Sequence, residues 1–436
     1  MKTYLTAVVA NAKGEIVELE GYAAVGMSGN SLIPMYRNDT IPTPYGSEFM
    51  FLPDRKPIVY DIETCTFETL DTNPFLPNEP IYPVAVFNSP GYLVCHVCAY
   101  EEREQSKLLP LFSYGAVGFS NGSFRSSAIC IDQENRQDLR FMPEDKIQKA
   151  AKLMQKKMGN NRLWDHLKKC ALTYGCPAAK NFLLKRYEGP LPTSEQCNAR
   201  CLGCLSLQTN SDISSSQERI RFTPSPKEIS EIALEHIHHV QKSIVSFGQG
   251  CEGEPLLAHH VIMPAIQLIR RQTEKGTINM NTNASRPDLL EPLFDAGLDS
   301  IRVSMNSARM TCYQAYFRPK TYQFSDIENS IDLALKRKKY VSINLLNCSG
   351  VTDSPEEVSA LMAFIEKHPI HRIQWRNLNF DPLRYYQIMN QSAAFGKPIG
   401  MRNLVQQLKK KFPHLSYGYF NPPKEQFENG RLKYGN

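Results

Sequence analysis

Cys197-Asn-Ala-Arg-Cys201-Leu-Gly-Cys204 places three thiols at C-x3-C-x2-C spacing within eight residues. Thiols so spaced can ligate three irons of a cubane cluster, whereas a fourth cysteine close by would complete it for plain electron transfer. Here the run stops at three, and Leu205 to Thr209 brings no further sulfur. An iron without a protein ligand is useful only if a second molecule binds it. The competing reading is a partial zinc site, which takes four ligands.

Downstream of the cysteines the pattern becomes regular. Ser225-Pro-Lys-Glu228 opens a helix, with proline at its first position and glutamate where a capping box needs it. That helix runs to about Gln241, and Ser243 to Phe247 reads as a buried strand. Helix 258–275, strand 277–282, helix 287–296, strand 300–305, helix 323–338, strand 340–346, helix 354–367 and strand 371–378 follow. Such alternation implies βαβ units and a parallel sheet. Counting a strand that leads into Cys197, there are about six strands, too few for an eight-stranded barrel.

In a parallel βα array the working residues sit on loops at the carboxyl ends of strands. The second strand ends in Gly248-Gln-Gly-Cys-Glu-Gly-Glu254-Pro255, and the third in Met280-Asn281-Thr282-Asn283. The fourth gives Ile301-Arg302-Val303-Ser304-Met305-Asn306, the fifth Asn344 to Asp353, and the sixth Gln374 to Asn379. Together with the cysteine run, over roughly residues 190–380, these stretches resemble the radical S-adenosylmethionine (SAM) enzymes. The resemblance implies an α/β fold, a partial (β/α)6 TIM-type barrel, and a [4Fe-4S] cluster on Cys197, Cys201 and Cys204. SAM would chelate the open iron through its amino and carboxylate groups. Its reductive cleavage would give a 5′-deoxyadenosyl radical that abstracts hydrogen from a substrate, with electrons from a flavodoxin- or ferredoxin-like donor.

The family's GGEP motif is matched by Gly253, Glu254 and Pro255, with Glu252 in place of the first glycine; its backbone carbonyls would accept from the SAM ammonium. For the SAM ribose and carboxylate the resemblance points to Ser304 first, then Asn306, then Arg302, with buried structural roles as the alternative. Trp375 and Arg376 are open to a role with adenine or substrate, and Cys251 and Cys348 read first as buried small residues. Gly203 departs from the family, which often has an aromatic residue just before the third cysteine.

Composition bounds the rest. The chain has 436 residues, 42% apolar and 22% charged, long enough for two or three domains. Its twelve cysteines, several clustered, fit metal binding in a reducing compartment, so a cytoplasmic protein is expected. There is no apolar run of membrane-spanning length, and Met1 to Glu20 reads as strand and turn rather than signal peptide. Residues 1–140 form a β-rich domain, 141–189 a basic helical connector, 190–380 the barrel and 381–436 an extension able to cap its open side.

The connector holds eleven Lys and Arg between Lys146 and Arg186 against Asp165 alone, a local +10 in a chain of net +6. That asymmetry admits an anionic partner, RNA included, beside the plainer reading of a solvated helix face. Cys95-His-Val-Cys98 is half a metal site, for which His96, Cys65, Cys130, Cys170 or Cys176 are the available partners; strand alternation instead makes both cysteines core residues. Substrate identity stays open among RNA, a peptide and a small metabolite. The alternative from another class is a non-catalytic zinc or iron–sulfur protein that binds nucleic acid.

Overall fold

The computed structural model describes residues 3–208 and 213–427; part of the Ser/Asn-rich loop expected over 209–218, and the end of the extension, lie outside them. Six strands run parallel in sequence order: Glu188–Pro190, Ile244–Phe247, Thr277–Thr282, Ser300–Met305, Tyr340–Asn347 and Arg372–Asn377. A seventh, Ser416–Gly418, pairs in parallel with the sixth. At three residues it is too short to show a period, and it falls in the extension after residue 380.

Alternation gives the sheet two chemically different faces. Val303, Ile343 and Ile373 are fully buried on the apolar face, which the helices cover. The other face is polar, and Asn421 shows that it is concave. Its amide donates to Glu188 on the first strand at 2.8 Å and accepts from Gln374 on the sixth at 2.7 Å. One side chain can touch both only if the sheet curls into a half-barrel. The described part of the tail therefore spans from the sixth strand back to the first. It crosses beneath the amino ends of the strands, where Lys424 N–H donates to Thr277 Oγ1 at 2.6 Å, and floors the lumen.

The helices are α1 (Glu144–Met158), α2 (Arg162–Leu172), α3 (Pro177–Leu183), α4 (Pro226–His239), α5 (His259–Arg270), α6 (Pro287–Ala296), α7 (Met310–Phe317), α8 (Phe324–Lys336), α9 (Pro355–Lys367), α10 (Pro382–Ser392) and α11 (Met401–Lys411). Helix α4 starts at the expected capping box, Ser225 with Glu228. Helices α7 and α10 have no counterpart in the sequence reading. Among the described residues no helix is long and apolar enough to cross a membrane.

Residues Thr6 to Ser126 build a 12-stranded antiparallel sheet. A separate two-stranded ribbon, Tyr92–Val94 with Ala128–Cys130, sits on the carboxyl ends of the fifth and sixth barrel strands. Asn377 accepts from Val94 N–H and donates to Tyr92 O, both at 2.9 Å, and Asn347 donates to Val94 O at 2.9 Å. Beside them Gly350 meets Gly29 so closely that a Cβ on Gly350 would lie 1.8 Å from Gly29 N. Both glycines also have positive φ, 92° and 58°, so the contact needs glycine twice over.

In the basic connector, Lys157 and Lys185 meet Glu235, Arg162 meets Glu228, Lys169 meets Glu218 and Lys180 meets Glu144. Lys149 and Lys168 pair within their own helices, so seven of the eleven cations have carboxylate partners. Five of the seven pair with acids from another element.

Candidate functional site

The cysteine loop lies between the first strand and α4, pinned to the end of α7. Arg200 N–H donates to Phe317 O at 3.0 Å and Leu202 N–H to Tyr316 O at 3.1 Å. Cys197, Cys201 and Cys204 are brought together closely enough for Cys197 to feel the charge of Cys204, and Cys201 that of both. Burial pushes the Cys197 thiol up to about 11, and Cys201 is raised as well, burial again the main cause. Arg219 opposes this from outside, its guanidinium donating to Cys204 Sγ at 3.4 Å.

The loop after the second strand runs alongside the residues that lead into Cys197. Gly253 N–H donates to Ser194 O at 2.7 Å and Glu254 N–H to Gln196 O at 2.8 Å. A Cβ on Gly253 would lie 1.9 Å from Gln196 O, so only glycine permits this approach. Glu252 is a buried clamp. One carboxylate oxygen accepts from Gly248 and Gln249 N–H at 2.7 and 2.6 Å, the other from Thr193 and Ser194 N–H at 2.7 and 3.0 Å. Glu254 is buried too, accepting from Asn283 N–H at 2.8 Å, Leu256 N–H at 3.1 Å and the Thr282 hydroxyl. Burial raises its carboxyl to about 7 despite these donors. The third-strand stretch thus holds the second-strand loop, and Asn281 adds a bond to Gly248 O at 2.9 Å.

The fourth strand turns Arg302 and Ser304 towards the lumen. Arg302 donates to Gln374 Oε1 at 2.9 Å, and Arg376 reaches the same oxygen at 3.5 Å while its guanidinium lies 3.6 Å from the centre of the Tyr419 ring. Two cations thus share one neutral acceptor. Burial first, and Arg376 second, lower Arg302 to about 9. Arg302 Nε is buried with no hydrogen-bond partner, as is Asn344 Oδ1, level with half-buried Ser304. Asn306 lies elsewhere: its amide donates to Cys312 O at 3.1 Å and Tyr385 OH at 3.3 Å, among α7 and α10. The Arg302–Gln374–Arg376 group escaped the sequence reading because its members lie on two strands far apart in the chain.

Residues 191–363 match the family described as the radical SAM superfamily. This stretch is a radical SAM domain. No curated protein matches the chain by sequence. Solved structures that resemble it include a radical SAM methyltransferase from Sphaerobacter thermophilus, at 12% identity over 56% of this chain and 70% of that one, TM-score 0.38. Another is anSMEcpe with bound AdoMet and Cp18Cys peptide, at 17% identity over 44% of this chain and 51% of that one, TM-score 0.35. SuiB from Streptococcus suis matches at 15% identity over 72% of this chain and 71% of that one, TM-score 0.37. The chain spans about half the length of the second, and the assignment rests on the family match.

The family implies a [4Fe-4S] cluster and SAM, and the donor set fits the cluster. Three thiols converge at one loop, and a guanidinium beside Cys204 favours the thiolates that ligation requires. The departure at Gly203 has a steric cause in this radical SAM domain. A Cβ there would lie 2.8 Å from Tyr316 OH and 3.0 Å from Asn379 Oδ1, so α7 and the sixth-strand loop fill the space a side chain would use. Cys95 and Cys98 belong to two separate hydrophobic cores, and burial pushes each thiol up to about 12. Both are core residues, as is Cys348.

Proposed function

We propose that this protein is a radical SAM enzyme that removes a hydrogen atom from a substrate bearing a carboxylate or phosphate group. Its [4Fe-4S] cluster, when bound, supplies the electron that splits SAM into methionine and the 5′-deoxyadenosyl radical. Cys197, Cys201 and Cys204 hold that cluster. The Gly253–Glu254–Pro255 backbone receives the SAM ammonium, and Ser304 and Arg302 serve its ribose and carboxylate. Arg376 binds the substrate anion. The observation that carries the substrate class is the pair of lumen arginines on one neutral acceptor, Gln374 Oε1: Arg302 keeps a buried N–H for the SAM carboxylate, and Arg376, at 3.5 Å, is left for a second anion. Buried cations are retained where an anion completes them. The tail below and the two-stranded ribbon above the fifth and sixth strands keep water from the lumen.

A small anion, or an acidic group on a peptide, suits this lumen better than RNA does, since the basic connector spends most of its charge on intramolecular pairs. A flavodoxin- or ferredoxin-like electron donor and a cytoplasmic setting belong to the same reading, and all twelve cysteines are unpaired. A zinc protein holding nucleic acid has less support, given the family match.

Two measurements test this reading. After anaerobic reconstitution, the paramagnetic resonance spectrum of the reduced cluster should change when SAM is added; an unchanged spectrum contradicts SAM ligation. In a thermal-shift screen of phosphorylated and carboxylated small molecules, protection by a hit should weaken about tenfold in Arg376→Met, the worth of one charged hydrogen bond. Hits that are neutral, or indifferent to Arg376, contradict the anionic substrate.

A further inference from the structure

One cluster of ligating side chains lies outside the radical SAM site. His166 and Cys170 stand four residues apart on α2 and so share a face. Facing them is Cys251, in the loop after the second strand, just before the Glu252 clamp. Cys170 Sγ lies 3.5 Å from His166 Nε2, and the ligand atoms of all three residues lie within 4.8 Å of one another. Zinc bound tetrahedrally at about 2.3 Å to sulfur and about 2.0 Å to nitrogen sets those two atoms about 3.5 Å apart. The geometry already approaches one edge of such a site.

Burial and charge agree with the distances. Cys170 is 2% exposed and Cys251 5%, while His166 and Cys176 are half-buried at the edge of the group. Cys176 is next in line. It lies in the turn between α2 and α3, its N–H donating to Cys170 O at 2.9 Å; it feels the charge of Cys170, and Cys251 feels that of Cys176.

We propose that His166, Cys170 and Cys251, with Cys176 as fourth ligand, hold a single structural zinc ion. Such an ion would staple α2 to the loop carrying Glu252, Gly253 and Glu254, and so fix the loop that meets the cysteine run. Mixed nitrogen and sulfur donors in a tetrahedral array select zinc over the harder divalent ions. The site uses none of the cluster cysteines, so it stands whether or not the radical SAM reading does.

The test is metal analysis of the full-length chain carrying Cys197→Ala, Cys201→Ala and Cys204→Ala together, which removes the cluster ligands. About one zinc per chain is expected, lost on adding Cys170→Ser or Cys251→Ser. Should those additions prevent folding, cobalt exchange into the triple variant replaces them, and the intense visible bands of tetrahedral cobalt–thiolate are expected. The proposal is overturned by a triple variant that stays metal-free after incubation with zinc. Zinc content indifferent to Cys170 and Cys251, iron with sulfide at this site, or a Cys170–Cys251 disulfide in the anaerobically purified chain would overturn it equally.

Discussion

Glu252 stands where the family motif has glycine, and its carboxylate accepts five hydrogen bonds, four from backbone N–H groups and one from the Thr193 hydroxyl. It ties the loop after the second strand to the approach to Cys197. Glu252→Gln would turn an amide NH2 towards donors and should cost about 2 to 3 kcal/mol, the penalty of unsatisfied buried groups; urea melts check this, and an unchanged midpoint contradicts the clamp. At the cluster, Cys197→Ala, Cys201→Ala or Cys204→Ala should each abolish SAM cleavage, and chromatographic detection of 5′-deoxyadenosine from any of them would contradict the ligand assignment. The cysteine run and Gly253–Pro255 were legible because their information is local spacing. Arg302 and Gln374, or Cys170 and Cys251, become neighbours only through strand order and loop path, which spacing does not encode. Asn306 shows the limit of alternation: it lies one residue past the strand end, where its side chain turns to α7 and α10.

Among the elements, the central strands and the helices between them follow the sequence reading closely, since each is long enough to show its period. Strands 277–282 and 300–305 and helix 287–296 have the expected bounds. Helix α7 has only eight residues and the seventh strand three, so neither completes a pattern. Helix α10 did carry a signal in Asp381-Pro382, an N-cap followed by proline at the first helical position. The start of α4 offers a pH test. The Arg162 guanidinium, with the Ser225 amide, lowers Glu228 to about 2 although burial opposes it. A carboxyl depressed in the folded state stabilises fully above its unfolded value near 4.5 and loses that contribution as pH falls towards 2. Glu228→Gln should therefore remove about 1 kcal/mol at neutral pH and flatten stability across that acid window. Equal pH dependence in both proteins, followed by thermal melts, would contradict the pairing.

At the scale of the whole molecule, the β-rich sheet and the barrel are joined through Asp381. Fully buried, it accepts from Tyr100 OH and Leu109 N–H, both at 3.1 Å, and lies 3.4 Å from buried Arg55. Asp381→Ala leaves Arg55 with a weaker set of partners and should cost about 3 kcal/mol. Limited proteolysis should then release the sheet, and an unchanged digest would show that the join lies elsewhere. This docking could not be read from sequence, because residues 1–140 contain no motif tying them to the barrel. The charge of the basic connector was legible but most of its partners were not, as five of the seven paired cations reach acids on other elements. If the connector nonetheless binds RNA, affinity should fall steeply with salt through counterion release, and salt-insensitive or absent binding removes that role. The central claim, reductive cleavage of SAM at a cluster held by three cysteines, is tested most directly by anaerobic reconstitution, reduction in the presence of SAM and quantification of 5′-deoxyadenosine beside the Cys201→Ala variant. Product from the wild-type chain alone is the predicted result; a fully formed cluster that yields none, with SAM alone or with any anionic ligand found by thermal shift, would contradict the account.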